Sequence, residues 1–268
     1  MILQALTAYY EEMLHKGKIS APGWDETFRV SFQLEIDDAG ALVDVIDCRE
    51  PATSGKKQVL LPCQMRVPAH KLRSSGISAN FLCDNASYML GADEKGKPER
   101  AKKCFEACAA LHHALLDDVD TPAARAVLAF FDTWKPELAP SHPLLQSRWK
   151  DVTGNANFVF SYDGASGRHP VTEDPELQAA WQRHYQAGNP DAPSAQCLIT
   201  GKTAPIVATH PAIKGVRGAQ SSGGSLVSFN ASAYWSYGHE YSQNAPVSEY
   251  AAFAYTTALN ALLADKVN

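Results

Sequence analysis

Residues 214–225 have a composition that suits ligand binding, because Lys214 and Arg217 lie among several glycines and serines. Glycine lets a backbone approach a ligand closely, and the N–H groups of such a loop can surround a phosphate. A nucleotide-binding P-loop is excluded, since Lys and Ser or Thr must follow its second glycine, and Gly224 and Ser225 stand there instead. The central serines also lack the flanking glycines of a hydrolase nucleophile elbow. The segment therefore predicts either an anion-binding loop or an ordinary surface loop.

Cys104, Cys108 and His112 recur every four residues, a spacing that would place metal-binding side chains on one face of a helix. A closed zinc site usually needs four ligands, with the second pair supplied by another segment, and the chain contains no CxxC sequence. We therefore expect the two cysteines to pack in the core, and we predict neither a metal site nor a cofactor. His113 and Asp117 are spaced to form a pair on the helix surface.

The chain has a formal net charge of −5, which by itself argues against binding to nucleic acid. Its charges are segregated, however, because residues 51–83 and residues 192–239 contain no Asp or Glu. The first window carries five Lys or Arg residues and the second carries three. Such segregation can create a basic face on an acidic protein, so both windows are candidates for contact with phosphates.

Residues 71–85 combine cations with amide side chains at the end of the first window. Lys71 and Arg73 could hold phosphates, while Asn80 and Asn85 could hydrogen-bond to base edges. Asn is also a common turn residue, so a purely structural role is the alternative.

Three aromatic residues, Tyr234, Trp235 and Tyr237, lie near the end of the second window. Aromatic side chains interleaved with cations can stack on exposed bases, and each such contact contributes about 1–3 kcal/mol. Core packing is the alternative for this cluster.

The hydrophobic patterns predict an α+β fold of antiparallel hairpins packed with several helices, joined by irregular loops rich in Gly and Ser. Apolar spacing and capping residues predict helices at residues 2–14, 102–116, 122–134, 175–185 and 247–263. Alternation and turn residues predict strands at residues 28–36, 41–47, 59–67, 157–162 and 225–229.

The 268 residues are 45% hydrophobic, enough to bury a core without a disulfide or metal. The six cysteines are scattered and match no disulfide framework. The N-terminus lacks the pattern of a signal peptide, and no apolar run is long enough to cross a membrane. We therefore expect a cytoplasmic protein without a membrane partner.

Several segments resemble the large subunit of the type I-C CRISPR Cascade effector complex. They occur in order over nearly the whole chain: MILQAL at residues 1–6, SGI at 75–77, NFLCDN at 80–85, residues 214–230, NAPVS at 244–248 and AAFAYTTALN at 251–260. The lengths of these matches make coincidence a poor explanation.

The resemblance implies a subunit that recognises the protospacer-adjacent motif in double-stranded target DNA, helps to open the duplex and guides the displaced strand. It implies other Cascade subunits, the guide RNA complex and a separate helicase-nuclease as partners, and it requires no catalytic centre in this chain. Family members continue into a helical C-terminal domain, so residues 1–268 are expected to form the N-terminal domain of a longer subunit. Base pairing reads most of the target in such systems, and protein reads the flanking motif and the backbone.

Together, the residues and the resemblance give two sets of predicted DNA-binding residues. One set is Lys71, Arg73, Ser74, Asn80 and Asn85; the other is Lys214, Arg217, Gln220, Ser221, Ser222 and Asn230. Within these sets, Asn80, Asn85 and Gln220 are the better candidates for base contacts, and the cations for phosphate contacts.

The main alternative is a protein-interaction scaffold, in which the same loops dock other subunits or the helicase-nuclease. A viral anti-CRISPR protein could bind either surface. An unrelated hydrolase that uses Ser221, Ser222 or His239 is a third alternative.

Overall fold

The computed structural model describes residues 1–54, 57–71, 73, 76–93, 96–164, 167–187, 192–220, 223–229 and 231–265. The chain divides into two compact units. Unit 1 consists of Met1–Pro22 together with Ala187–Asn268, and unit 2 is the continuous segment Gly23–Gln186.

The α-helices are α1 (Ile2–His15), α2 (Ala86–Met89), α3 (Pro98–Leu116), α4 (Pro122–Thr133), α5 (Pro143–Gln146), α6 (Trp149–Thr153), α7 (Pro175–Ala187) and α8 (Glu249–Asp265). The strands are β1 (Trp24–Val30), β2 (Phe32–Ile36), β3 (Leu42–Asp47), β4 (Glu50–Ser54), β5 (Lys57–Leu61), β6 (Cys63–Pro68), β7 (Cys83–Asn85), β8 (Asn157–Gly164), β9 (Gly167–Pro170), β10 (Ser194–Gln196) and β11 (Thr203–Pro205).

Unit 2 is built on a five-stranded sheet in which β3, β2, β8 and β7 are neighbours in that order and β9 also pairs with β8. β2 and β8 run parallel, with Phe32 opposite Phe158 and Ile36 opposite Tyr162, whereas the other pairs are antiparallel. Two smaller antiparallel pairs, β1 with β6 and β4 with β5, complete the strands of this unit. The parallel pair requires a long connection, which the helices between β3 and β8 supply.

Helices α3 and α4 provide the apolar side chains that cover this sheet. Phe130 and Phe131 of α4 contact Phe160 of β8, with ring centroids 5.0 Å and 5.6 Å apart. Cys104 and Cys108 of α3 are buried, as predicted, and His112 is fully buried beside them. Thr121 caps α4, because its hydroxyl accepts a hydrogen bond from the Ala124 N–H at 3.1 Å.

In unit 1 the first and last helices of the described chain pack together. Leu6 and Tyr10 of α1 join a buried cluster with the alanines of α8 and with Tyr255. The alanines give α8 a narrow face, so the neighbouring helix can approach closely. The Tyr10 hydroxyl donates a hydrogen bond to the Ser20 carbonyl oxygen at 2.8 Å, which satisfies its polar end inside the core.

The α+β class is confirmed, and the predicted helices all occur, with ends shifted by a few residues. The predicted strand at residues 28–36 is divided at Ser31, so that β1 and β2 belong to different sheets. The predicted strand at residues 225–229 is wrong: the segment bends, and Leu226 is 53% exposed. An apolar stretch forms a strand only where a neighbouring edge accepts its hydrogen bonds, and none does so here among the described residues.

Across the described ranges, no helix is both long and apolar enough to span a bilayer. All six cysteines are free thiols.

Candidate nucleic-acid interface

The buried carboxylate of Asp84 organises the predicted DNA-binding residues of unit 2. Its Oδ1 accepts hydrogen bonds from the Asn85 N–H at 2.8 Å and from Arg73 Nη1 at 2.9 Å. Its Oδ2 accepts from the Asn80 N–H at 2.9 Å and from Arg73 Nη2. Asn80 Oδ1 in turn accepts from the Lys71 N–H at 3.0 Å. The structure therefore brings together four of the residues that the sequence predicted to bind DNA.

Arg73 is held inside this network rather than extended into solvent. Its guanidinium forms a two-pronged ion pair with Asp84 and lies 4.0 Å from the centroid of the Tyr88 ring. Burial lowers the pKa of Arg73, but the hydrogen bonds and charge of Asp84 outweigh it, so the pKa rises above its usual value. The ring of the neighbouring His70 packs at a tilt against Phe28, and burial lowers the pKa of His70 to about 4, so it adds no positive charge near neutral pH.

Asn80 and Asn85 have different environments. Asn80 is 5% exposed, and its side-chain oxygen is used within the loop. Asn85 is half-buried; its Oδ1 accepts the Ser87 N–H at 3.0 Å and so caps the short helix α2.

Two surface cavities of about 230 Å³ each meet at Asn85 and Ser87, which line both of them. One is also lined by Arg73, Gly76, Tyr88, Arg100 and Cys104. The other is also lined by Ala86, Asp93, Thr153, Gly154, Asn155 and Asn157. We call the residues that line these two cavities the Asn85 surface. Most of its lining side chains carry amide or hydroxyl groups, which donate and accept hydrogen bonds, or guanidinium groups, which donate them.

Arg100, Asn155 and Asn157 also line the Asn85 surface, and the sequence did not predict them. Arg100 lies in a run of mixed charges, which resembles an ordinary solvated helix face. Asn155 precedes β8 and Asn157 begins it, both distant in sequence from Asn85, and only the antiparallel pairing of Asn85 with Asn157 brings them to the same place. Arg100 is exposed and donates a hydrogen bond to the Gly76 carbonyl oxygen at 2.8 Å.

In unit 1 the predicted residues Lys214, Arg217 and Gln220 lie on a loop that is described at residues 214–220 and at Gly223, which we call the glycine loop. Two backbone hydrogen bonds between Ile213 and Gly224, of 2.7 Å and 2.9 Å, close its base. Ile213 is buried, so the loop projects from the core. Gly223 has φ of +106°, and a Cβ there would lie 2.8 Å from Ala212 Cβ, which explains the need for glycine.

The side chains of Lys214, Arg217 and Gln220 are exposed on the glycine loop. Within the described ranges, no carboxylate forms an ion pair with either cation. Lys71 of unit 2 is likewise exposed and without an ion pair in the described part of the chain. Ser74, Ser221, Ser222 and Asn230 lie outside the described residues.

His113 confirms the predicted surface pair, since its Nδ1 is 2.8 Å from Asp117 Oδ1, and its Nε2 also contacts Asp132 of α4 at 2.9 Å. In the parts of the chain that are described, no group of three His, Cys, Asp or Glu side chains converges as a metal site.

These features define an α+β protein with an amide-rich polar surface in one unit and an exposed cationic loop in the other. The family model described as CRISPR-associated protein (Cas_Csd1) matches residues 6–268, so the chain belongs to the CRISPR-associated Csd1 family. The match confirms the resemblance stated from the sequence and makes the chain a subunit of a CRISPR Cascade complex, which acts with other subunits. A search of curated proteins gave no match.

Proposed function

We propose that this subunit recognises the protospacer-adjacent motif in double-stranded target DNA, helps to open the duplex and contributes to recruiting the helicase-nuclease. The subunit performs no catalysis in this proposal. The observation that carries it is the Asn85 surface, a concave region whose amide groups can read base edges, together with exposed cations that can hold the backbone.

Asn85 is the strongest candidate for base readout. Its Oδ1 caps α2, which fixes the side chain, while the Nδ2 amino group has no hydrogen-bond partner in the described residues. Asn85 lines both cavities. Asn80 is buried, so we assign it the role of holding the Lys71 backbone. Arg73 supports the loop through Asp84, and Lys71 and Arg100 are the cations available to phosphates beside it.

The test of base readout is Asn85→Ser. Serine is also a good helix cap, so α2 should be retained, but the amide donor is removed. We expect affinity for duplexes with the preferred flanking motif to fall by about 1–3 kcal/mol, with little change for other duplexes. Selection from duplexes with randomised flanking bases would measure this. Equal discrimination by the variant and the original chain would contradict the assignment.

The test of phosphate contacts is replacement of Lys71, Lys214 and Arg217 by alanine, one at a time. Each loss should weaken binding to all duplexes similarly and reduce the slope of log affinity against log salt by about 1. Arg125→Ala is the matched control. It removes one positive charge, as each test variant does, but Arg125 is already paired with Asp120. If the control changes the slope as much as the others, the effect is one of overall charge.

A protein contact is favoured at a different place, the hairpin of β4 and β5. Leu60 and Leu61 at the end of β5 are 50% and 44% exposed. Consecutive strand residues point to opposite faces, so the hairpin exposes an apolar side chain on each face, and a partner could cover either of them. We propose that this hairpin contacts another Cascade subunit. Leu60→Ser with Leu61→Ser should lower incorporation into the purified complex and leave DNA affinity of the isolated chain unchanged; normal incorporation would refute the contact.

A further inference from the structure

Tyr237 is the most exposed tyrosine of the described chain, at 98%, and it stands at the tip of a tight turn. Ser236 and His239 form an antiparallel bridge, with the His239 N–H donating to the Ser236 carbonyl oxygen at 2.9 Å. The two residues between them have positive φ, +53° at Tyr237 and +76° at Gly238. Turns with two such residues strongly favour Asn-Gly, because a bulky side chain is strained in the left-handed region.

The side chain of Asn244 stabilises the turn through hydrogen bonds. Its Oδ1 accepts from the Ser236 N–H at 3.0 Å and from the Ser236 hydroxyl at 2.9 Å. Its Nδ2 donates to the carbonyl oxygens of His239 and Tyr241, both at 3.0 Å. All the hydrogen-bonding capacity of this amide is therefore used to fix the turn.

The anchor extends into the buried part of unit 1. The Ser242 hydroxyl donates to the Ala208 carbonyl oxygen at 2.8 Å, and Ser242 is 3% exposed. Tyr241 packs its ring against Trp235, with centroids 5.4 Å apart. The hydrogen bonds of the turn therefore fix the backbone of Tyr237 in a strained conformation. The Tyr237 ring contacts nothing that the structure describes. Packing against the described residues does not account for the tyrosine at this position.

The composition of the sequence window that contains this turn favours a nucleic acid as the occupant. Tyr237 lies in the window of residues 192–239, which contains no acidic residue, and the exposed cations of the glycine loop belong to the same window and the same unit. The nearest acid in sequence, Glu240, follows the turn. An exposed aromatic ring can stack on any base, because every base has a π face.

We infer that Tyr237 is a base-stacking residue, which packs its ring on an unpaired nucleobase of the opened target DNA. The inference rests on the proposed function, because it requires that the subunit meets DNA. It adds a second binding site, for an unpaired base, to the Asn85 surface. In the proposed function, the Asn85 surface reads paired bases.

The experiment compares forked DNA, which carries an unpaired strand with 2-aminopurine next to the junction, with the same DNA fully paired. The original chain should bind the fork more tightly and quench the 2-aminopurine fluorescence. Tyr237→Asn should raise Kd for the fork by roughly five- to 150-fold and abolish quenching, while its Kd and salt slope for paired DNA stay unchanged. Tyr237→Trp should preserve both signals, since the ring is retained.

Two controls separate binding from folding and position. Asparagine suits the left-handed turn better than tyrosine, so Tyr237→Asn should melt at the same or a higher temperature. Tyr234→Ala removes a neighbouring tyrosine that is 56% exposed and should keep the preference for forked DNA. A loss of this preference in Tyr234→Ala but not in Tyr237→Asn would overturn the assignment.

The remaining outcomes are also decisive. Unchanged fork binding and quenching by Tyr237→Asn would overturn the inference and leave the proposed function standing. If Tyr237→Asn binds DNA normally but is incorporated less into the Cascade complex, the inference is overturned, and Tyr237 contacts a protein partner and not a base. If the original chain shows no salt-dependent binding to either DNA, the proposed function itself fails.

Discussion

Asp84 determines which of the predicted DNA-binding residues of unit 2 stabilise the loop and which remain accessible to a ligand. Its side chain is 2% exposed and receives hydrogen bonds from Arg73 and from the backbone at Asn80 and Asn85. A buried carboxylate without a cation is costly, so Arg73 is committed to the interior of the loop. The exposed Lys71 and the half-buried Asn85 are then left to face a ligand.

The first prediction concerns this ion pair. Arg73→Ala should lower the free energy of unfolding by about 3 kcal/mol, because it leaves the buried Asp84 carboxylate without its cation. Arg73→Lys should be intermediate, since lysine keeps the charge but loses the two-pronged geometry. Urea denaturation would measure both. Arg125→Ala, which removes an arginine from an exposed pair, should change little; similar losses at the two positions would contradict the argument.

His112 gives a second prediction, on pH. Its Nε2 accepts the Leu82 N–H at 3.0 Å, its Nδ1 lies 2.8 Å from the Cys108 carbonyl oxygen, and burial lowers its pKa from 6.5 to about 4. Both contacts fit the neutral ring with the proton on Nδ1. Between pH 6.5 and 4 the unfolded chain therefore binds more protons than the folded one, so stability should fall as the pH is lowered through this range.

The size of the His112 contribution should be about 3 kcal/mol at pH 4. His112→Gln, which has no titrating group but can still accept from Leu82, should show a shallower loss of stability between pH 6.5 and 4. Denaturation of both proteins at several pH values would measure the difference. Parallel curves would mean that the acid sensitivity comes from other groups, such as the half-buried His70.

At the scale of elements, the helices and strands with a regular apolar pattern could be predicted from the sequence. The elements with which they pair or pack could not. The helices and the β2–β3 hairpin follow from local apolar spacing and turn residues. The parallel pairing of β2 with β8 joins Phe32 to Phe158, and no local pattern specifies a contact across that separation. For the same reason Arg100 and Asn157 were missed, since they reach the Asn85 surface only through α3 and β8.

The third prediction concerns the turn between β2 and β3, which packs on α4. Gly40 has φ of +73°, and a Cβ there would lie 2.6 Å from the Ala129 carbonyl carbon. Gly40→Ala should therefore destabilise the protein by about 2–4 kcal/mol, through both backbone strain and the clash. Gly167→Ala is the matched control: its φ is +88°, but nothing lies within 4 Å of an added Cβ. Equal losses in thermal or chemical denaturation would show that the clash is relieved by movement of the turn.

At the scale of the whole molecule, the two ends of the chain belong to one unit. The cluster that contains Leu6 and Tyr10 of α1 also contains Val247 and Tyr255, so the core of unit 1 is assembled from segments more than 200 residues apart. The sequence predicted both helices, but it could not show that they share a core, because amphipathic spacing identifies a buried face and not its partner. All described residues of the cluster lie in unit 1.

The fourth prediction follows from this separation of cores. Tyr10→Ala removes a fully buried ring that packs edge-on against Phe253, with centroids 5.8 Å apart, and should cost unit 1 about 3–5 kcal/mol. We expect limited proteolysis of this variant to cut within residues 187–268 first, while a fragment close to residues 23–186 persists. Phe160→Ala, in the core of unit 2, should reverse the order of cleavage. Simultaneous loss of both units in either variant would show that they unfold as one cooperative structure, because a separately stable unit resists cleavage until it opens itself.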